Sequence, residues 1–219
     1  MLRNFQTSIN EIKSKVHTIG LGLLEANKLL LLALQKCDTQ KFNEARQHLK
    51  NVSAKTDAID NAIIKVLALY TPEARDLRQV IAYLKITNEL SRACANTRSF
   101  IRGFTDVCTD VDVATINAYA VPMQTATIEA INAALQMIHC DDEDEIQEIY
   151  NDVLIQENKT DDLYEIVERN LYSQADSTKS FEKFHTMLKA LRKSGKIAAR
   201  TIAIANLLVY AKIGGHFRS

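Results

Sequence analysis

Residues 12–33 read IKSKVHTIGLGLLEANKLLLLA, and in them Ile12, Val16, Ile19, Leu23, Ala26, Leu30 and Ala33 fall at alternating steps of three and four. That spacing puts all seven side chains on one face of a helix, as at the seam of a bundle. A second stripe follows at Phe42, Ala45, Leu49, Val52, Thr56, Ile59, Ile63, Val66 and Tyr70. A third runs through Leu77, Val80, Leu84, Thr87, Ser91 and Cys94. All three recur 104 residues later without a gap. The first becomes Ile116, Ala120, Met123, Thr127, Ala130, Ala134 and Met137; the second becomes Ile146, Ile149, Val153, Gln156, Thr160, Leu163 and Val167. The third becomes Phe181, Phe184, Leu188, Leu191, Gly195 and Ala198. Lys55-Thr56-Asp57 matches Lys159-Thr160-Asp161, and Leu84-Lys85 matches Leu188-Lys189. Unrelated bundles share a period but not a common register, so the chain is read as a duplication.

The pattern predicts an all-α fold of two tandem three-helix bundles, six long antiparallel helices in all, with the repeats spanning residues 1–107 and 108–219. Stripes of this length make helices roughly 45 Å long. Short connections around Asp38, Thr71, Asp142 and Ala175 make sequential helices antiparallel neighbours. Asp38 and Asp142 stand at equivalent positions, each able to cap the helix that follows. Thr71-Pro72-Glu73 reads as an N-cap threonine with proline at the first helical position. A longer loop from Gly103 to about Asp112 is expected between the halves. Pro122 is expected to kink the fourth helix or mark its start. Small residues at matching points, Ser91/Gly195 and Cys94/Ala198, suit a close approach of helices where the bundles meet.

Two prolines and six glycines are too few for an all-β chain with its frequent turns. Twenty-seven basic residues balance 27 acidic ones, which argues against nucleic-acid binding. The charge is unevenly placed: from Lys179 onward there are nine lysines and arginines against the single acid Glu182, while Asp141 to Glu148 is strongly acidic. The N-terminal residues lack the apolar stretch of a signal peptide, and no uninterrupted apolar run approaches the ~18 residues that span a bilayer. Cys37, Cys94, Cys108 and Cys140 form no CxxC pair. A cytoplasmic protein with reduced thiols is the expectation.

Sites for chemistry are sparse. Di-iron bundles need two Glu-x-x-His motifs on facing helices. Glu182-Lys183-Phe184-His185 supplies one, but its repeat equivalent is Arg78-Gln79-Val80-Ile81. His139-Cys140-Asp141-Asp142 gathers ligand types at a turn, yet it also reads as a plain turn before an acid-rich helix start, which the helix dipole favours. Gly20-Leu21-Gly22 lies inside an apolar helical stripe with no strand before it, so it is not a phosphate-cradling loop. No catalytic residue, metal site or cofactor is assigned, and a non-enzymatic role is expected.

Tyr70-Thr71-Pro72-Glu73-Ala74-Arg75-Asp76-Leu77-Arg78, leading to Leu84-Lys85-Ile86-Thr87-Asn88-Glu89-Leu90-Ser91-Arg92, resembles the PhoU family of phosphate-transport regulators. Members consist of two tandem three-helix bundles, so the resemblance extends over nearly the whole chain. In the family, an Asp-Leu-Arg segment precedes a helix ending in Glu-Arg-Ile-Gly-Asp, whose two carboxylates help hold a multinuclear metal cluster. Here that stretch is Ser91-Arg92-Ala93-Cys94-Ala95 in one repeat and Gly195-Lys196-Ile197-Ala198-Ala199 in the other. Serine, glycine and alanine offer no hard anionic ligand, so a divergent member without the cluster is expected. Asp57, Asp60, Glu157 and Asp161 on the neighbouring helices are left unassigned.

The resemblance implies a cytoplasmic regulator that damps phosphate uptake and phosphate-starvation signalling when phosphate is plentiful. It implies docking to the ATPase of the phosphate ABC transporter and to a sensor histidine kinase, with the membrane reached only through these partners. A homodimer is compatible with it. Candidate docking residues are Arg75, Arg78, Lys85, Arg92, Lys189, Arg192, Lys193 and Lys196, on the third and sixth expected helices. The alternative is a helical scaffold, either an accessory of another phosphate carrier or an oligomerisation module.

Overall fold

The computed structural model describes residues 2–72, 74–173 and 177–214. They form seven helices and no strand: α1 (Leu2–Lys36), α2 (Thr39–His48), α3 (Val52–Tyr70), α4 (Ala74–Asp110), α5 (Val113–His139), α6 (Glu143–Ser173) and α7 (Thr178–Lys212). The second expected helix is split into α2 and α3; its counterpart α6 is continuous. Helices α2 and α4 each begin 104 residues before α6 and α7 respectively, so the duplication seen in the stripes is a duplication of helices.

The α2–α3 break has local causes. Asn51 adopts a left-handed backbone, φ 57°, which asparagine tolerates better than most residues. The carbonyl of Leu49, lost to the helix ladder, accepts a bond from the Arg98 guanidinium at 3.2 Å. Gly22 makes room for the end of α2, since a Cβ there would stand 2.9 Å from the His48 carbonyl oxygen.

The first two stripes of repeat one and the first of repeat two are buried nearly throughout. In the third stripes, Leu77 and Phe181 are exposed instead. The α4 core face continues beyond Cys94 through Thr97, Phe100, Ile101, Phe104 and Val107. The loop expected from Gly103 to Asp112 is therefore not a loop: α4 runs to Asp110 and only two residues separate it from α5. Gly103 serves packing rather than a turn, because a Cβ there would lie 3.0 Å from the Ala190 Cβ on α7. Helix α5 stays helical through Pro122; its start is Asp112, whose carboxylate accepts the Thr115 amide at 2.8 Å.

Asp38 accepts the amides of Gln40 and Lys41 at 2.9 and 3.2 Å, and Asp142 accepts that of Glu145 at 2.9 Å, so both aspartates cap the following helix. Thr71 does not: it closes α3 in a left-handed conformation, and α4 starts at Ala74. Glu73 and the connection expected around Ala175 lie outside the described residues. Helix α1, from Asn4, is long and apolar enough by composition to cross a membrane, but its stripe is spent on the core between α2, α3, α4 and α5.

One hydrophobic core runs through both repeats, with α1 packed on α5 and α4 packed most extensively on α7. At its centre lies a buried polar chain. Asn27 donates to Thr97 Oγ1 at 3.3 Å, and Gln124 donates to Asn27 Oδ1 at 2.8 Å. Ser194 donates to Gln124 Oε1 at 3.3 Å and shares a 2.9 Å bond with Thr127. Four helices from the two repeats are thus joined where water does not reach, and fully satisfied networks of this kind fix a unique register.

The expectation of reduced thiols is corrected for two of the four cysteines. Cys37, just past α1, and Cys108, in the last turn of α4, form a disulfide with Cα atoms 5.5 Å apart. The ends of the two helices meet although 71 residues separate them, which spacing along the chain does not reveal. Cys94 and Cys140 are free, and burial pushes the Cys94 thiol up to about 12.

Candidate helix-face binding groove

Helices α4 and α7 lie antiparallel, with Gly103 against Ala190 at one end and Lys85 near Leu207 at the other. Small residues between them leave the outer surface hollowed. Three adjoining hollows follow the seam and share lining residues, with volumes of about 210, 290 and 380 Å³. The first is walled by Asp161, Tyr164, Arg192, Gly195 and Lys196. The middle one is walled by Arg92, Asn96, Lys196 and Arg200 over Ala95 and Ala199. The third involves Lys85, Asn88, Glu89 and Arg92.

Of the eight residues picked from the sequence, Lys85, Arg92, Arg192 and Lys196 meet in this groove. Lys189 is exposed and Lys193 half-buried on α7, and neither lines the three hollows. Arg75 is exposed near the start of α4, close enough to Asp141 to lower that carboxyl slightly. Arg78 turns inward: its guanidinium lies 3.3 Å from where a Cβ at Gly214 would be, and its Nε is buried without a hydrogen-bond partner. Arg200, Asn96 and Glu89 were missed. The repeat held the missing signal, since Asn96 and Arg200 are equivalent positions one turn beyond Arg92 and Lys196.

Glu89 organises the basic side chains. Its carboxylate, with the side chain 17% exposed, takes Arg200 at 3.1 Å and Arg92 at 3.8 Å. Arg192 instead lies over the Tyr164 ring, 5.8 Å from its centre. The acids of α6 stand at the groove wall: Asp161 Oδ1 is 3.8 Å from where a Gly195 Cβ would be. Burial raises the Glu157 and Asp161 carboxyls above their usual range, and neighbouring acids add to the rise. Asp60 behaves alike, through burial and then Asp57, and its Oδ1 is buried without a hydrogen bond.

These acids do not make the metal centre that the family resemblance brings to mind. Across from Asp161 stands Gly195, and no group of three or more His, Cys, Asp or Glu side chains among the described residues could hold a metal ion. The His139–Asp142 turn is committed elsewhere. The His139 ring meets His17 edge-on at 4.5 Å, and burial followed by the charges of His17, Lys13 and Lys212 lowers its pKa. Cys140 Sγ donates to the Glu145 carboxylate at 3.2 Å, and buried Lys212 donates to the Cys140 carbonyl and to Asp141, the latter at 3.0 Å. His185 stacks on Phe181 at 5.9 Å rather than facing a second Glu-x-x-His motif.

Residues 18–99 match the PhoU domain family. The fold superposes on the crystal structure of PhoU from Pseudomonas aeruginosa with a TM-score of 0.84 at 18% identity, covering 96% of this chain and 100% of that one. It superposes on the phosphate transport system regulatory protein PhoU from Streptococcus pneumoniae with a TM-score of 0.82 at 16% identity, covering 98% and 99%. A PhoU-like protein from Shewanella oneidensis MR-1 gives 0.67 at 16% identity, covering 92% and 96%. A search of curated protein sequences finds no match. The chain is thus similar to the PhoU domain across residues 18–99 and shares the fold of solved PhoU structures over nearly its whole length.

Proposed function

We propose that this protein regulates phosphate uptake without catalysing a reaction, by docking the α4/α7 face onto partners at the cytoplasmic side of a phosphate transporter. The observation that carries the reading is the basic groove shared by both repeats, set on a fold whose solved relatives include a phosphate transport system regulatory protein. Its partners are the ATPase of the phosphate ABC transporter and a sensor histidine kinase. Docking energy biases a partner between conformations only as far as the protein binds one of them more tightly. Exposed cations such as Arg192 raise the encounter rate with an acidic partner more than they raise final affinity. The two sequence repeats, residues 1–107 and 108–219, act as one docking body because a single core joins them.

The test is crosslinking of the tagged protein in cells grown in excess phosphate, with quantitative mass spectrometry of what it captures. The transporter ATPase or the kinase should be enriched. Charge reversal at Arg192 and Lys193 should lower that enrichment, chiefly by slowing encounter with an acidic partner. Unchanged capture by the charge-reversed protein would remove this face. Capture of an unrelated phosphate carrier in their place would favour the scaffold reading, which the lost carboxylates at Ser91, Ala95, Gly195 and Ala199 motivate.

A further inference from the structure

The middle hollow of the groove has a property the other two lack: equivalent positions of the two repeats line it from both sides. Its six wall residues are three positions of one repeat and the same three of the other, 104 residues on: Arg92 with Lys196, Ala95 with Ala199, Asn96 with Arg200. The alanines form a floor too short to fill the space, which amounts to about 290 Å³. That is several times the ~30 Å³ share of a water molecule in the liquid. The walls carry three cations and an amide, and no carboxylate lines the space. Glu89 stands behind, bonded by Arg200 at 3.1 Å and within ion-pair distance of Arg92 at 3.8 Å. It thereby orients Arg200 while leaving the cluster two positive charges in excess. Lys196 has no ion-pair partner among the described residues.

We propose that this hollow binds a small phosphate-class oxyanion, orthophosphate or a short condensed phosphate such as pyrophosphate, between Arg92, Lys196 and Arg200. Planar guanidiniums match the edge of a tetrahedral oxyanion with paired N–H donors, and an ammonium supplies a compact third charge. A dianion neutralises the excess charge. The Asn96 amide offers a donor that a carboxylate at that place would not. The volume admits a two-phosphate chain with part of its hydration. None of this depends on which macromolecule docks on the α4/α7 face, and Arg192 and Lys193 do not line the hollow.

Isothermal titration calorimetry on the full chain, with sodium pyrophosphate and orthophosphate in low-salt buffer, tests the assignment. Saturable binding at one anion per chain is expected, with a dissociation constant of about 0.1–1 mM, weakening as salt is added. Whichever of the two anions displaces the other at lower concentration is the better ligand. The double variant Arg92→Gln, Lys196→Gln should weaken binding more than about tenfold. Lys65→Gln, on the exposed side of α3, should leave it unchanged. Circular dichroism of each variant establishes that it is folded. Absence of saturable binding by the wild-type chain would overturn the proposal. So would equal binding by the folded double variant, or sulfate displacing pyrophosphate at equal concentration. Loss of anion binding with partner capture intact would separate this site from the docking proposal.

Discussion

Replacing Gln124 by leucine removes the central link of the buried chain that joins α1, α4, α5 and α7. Gln124 Nε2 donates to Asn27 Oδ1 at 2.8 Å and to the Asn27 carbonyl at 3.3 Å, and Oε1 accepts from Ser194. Ser194 keeps its bond to Thr127, and the Asn27 carbonyl is a backbone group of α1, so the orphan left by Gln124→Leu is Asn27 Oδ1. Asn27 is completely buried, and an unsatisfied acceptor there costs about 1–3 kcal/mol. Asn27→Leu alone leaves Gln124 Nε2 with only its longer bond to the main chain, again at a cost of about 1–2 kcal/mol. Replacing both removes donor and acceptor together, which in a buried site can be nearly neutral. The double variant should therefore be more stable than the two single losses predict by about 2 kcal/mol. Urea unfolding followed by circular dichroism, with all four proteins compared at a common slope, measures that coupling. Additivity of the single effects within about 0.5 kcal/mol would refute the network as a cooperative unit.

Two further outcomes follow from single features. Closing a 71-residue loop restricts the unfolded chain, so reduction of the Cys37–Cys108 bridge should lower unfolding free energy by up to about 4 kcal/mol; a thiol titration in denaturant without reductant that finds four free cysteines rather than Cys94 and Cys140 alone would show the bridge does not form. Burial, then Asp161, raises the Glu157 carboxyl, so the folded protein favours its protonated form and the charged form opposes folding at neutral pH. That penalty fades as pH falls through the raised value. Glu157→Gln should accordingly be more stable than wild type at pH 7, with the gap narrowing toward about pH 4; a gap independent of pH would refute the assignment.

Helices and their duplication were legible in the sequence because a helix face is written in residues three and four apart, a distance over which local spacing decides packing. The caps at Asp38 and Asp142 were legible for the same reason, being contacts within three residues. The stripes failed where the partner surface decided the outcome. Leu77 and Phe181 keep the period yet face solvent, and Gly103 looks like a helix end until Ala190 is placed against it. Half of the candidate binding residues converged because they share a register on two helices, whereas Arg78 was drawn inward against Gly214 by the end of α7, which no local pattern records.

The sequence by itself determined the helix faces, the 104-residue register and the absence of carboxylates at residues 91, 95, 195 and 199. Only the tertiary structure decided that α4 and α7 cross with Arg92 beside Lys196 and Arg200, that Cys37 meets Cys108, and that Asn27 reaches Gln124. The physical reason is range. Propensity, capping and amphipathic spacing act over about one helical turn, whereas a groove, a cross-link or a buried hydrogen-bond chain joins side chains separated by about 70 to 110 residues. Their meeting depends on how whole helices pack.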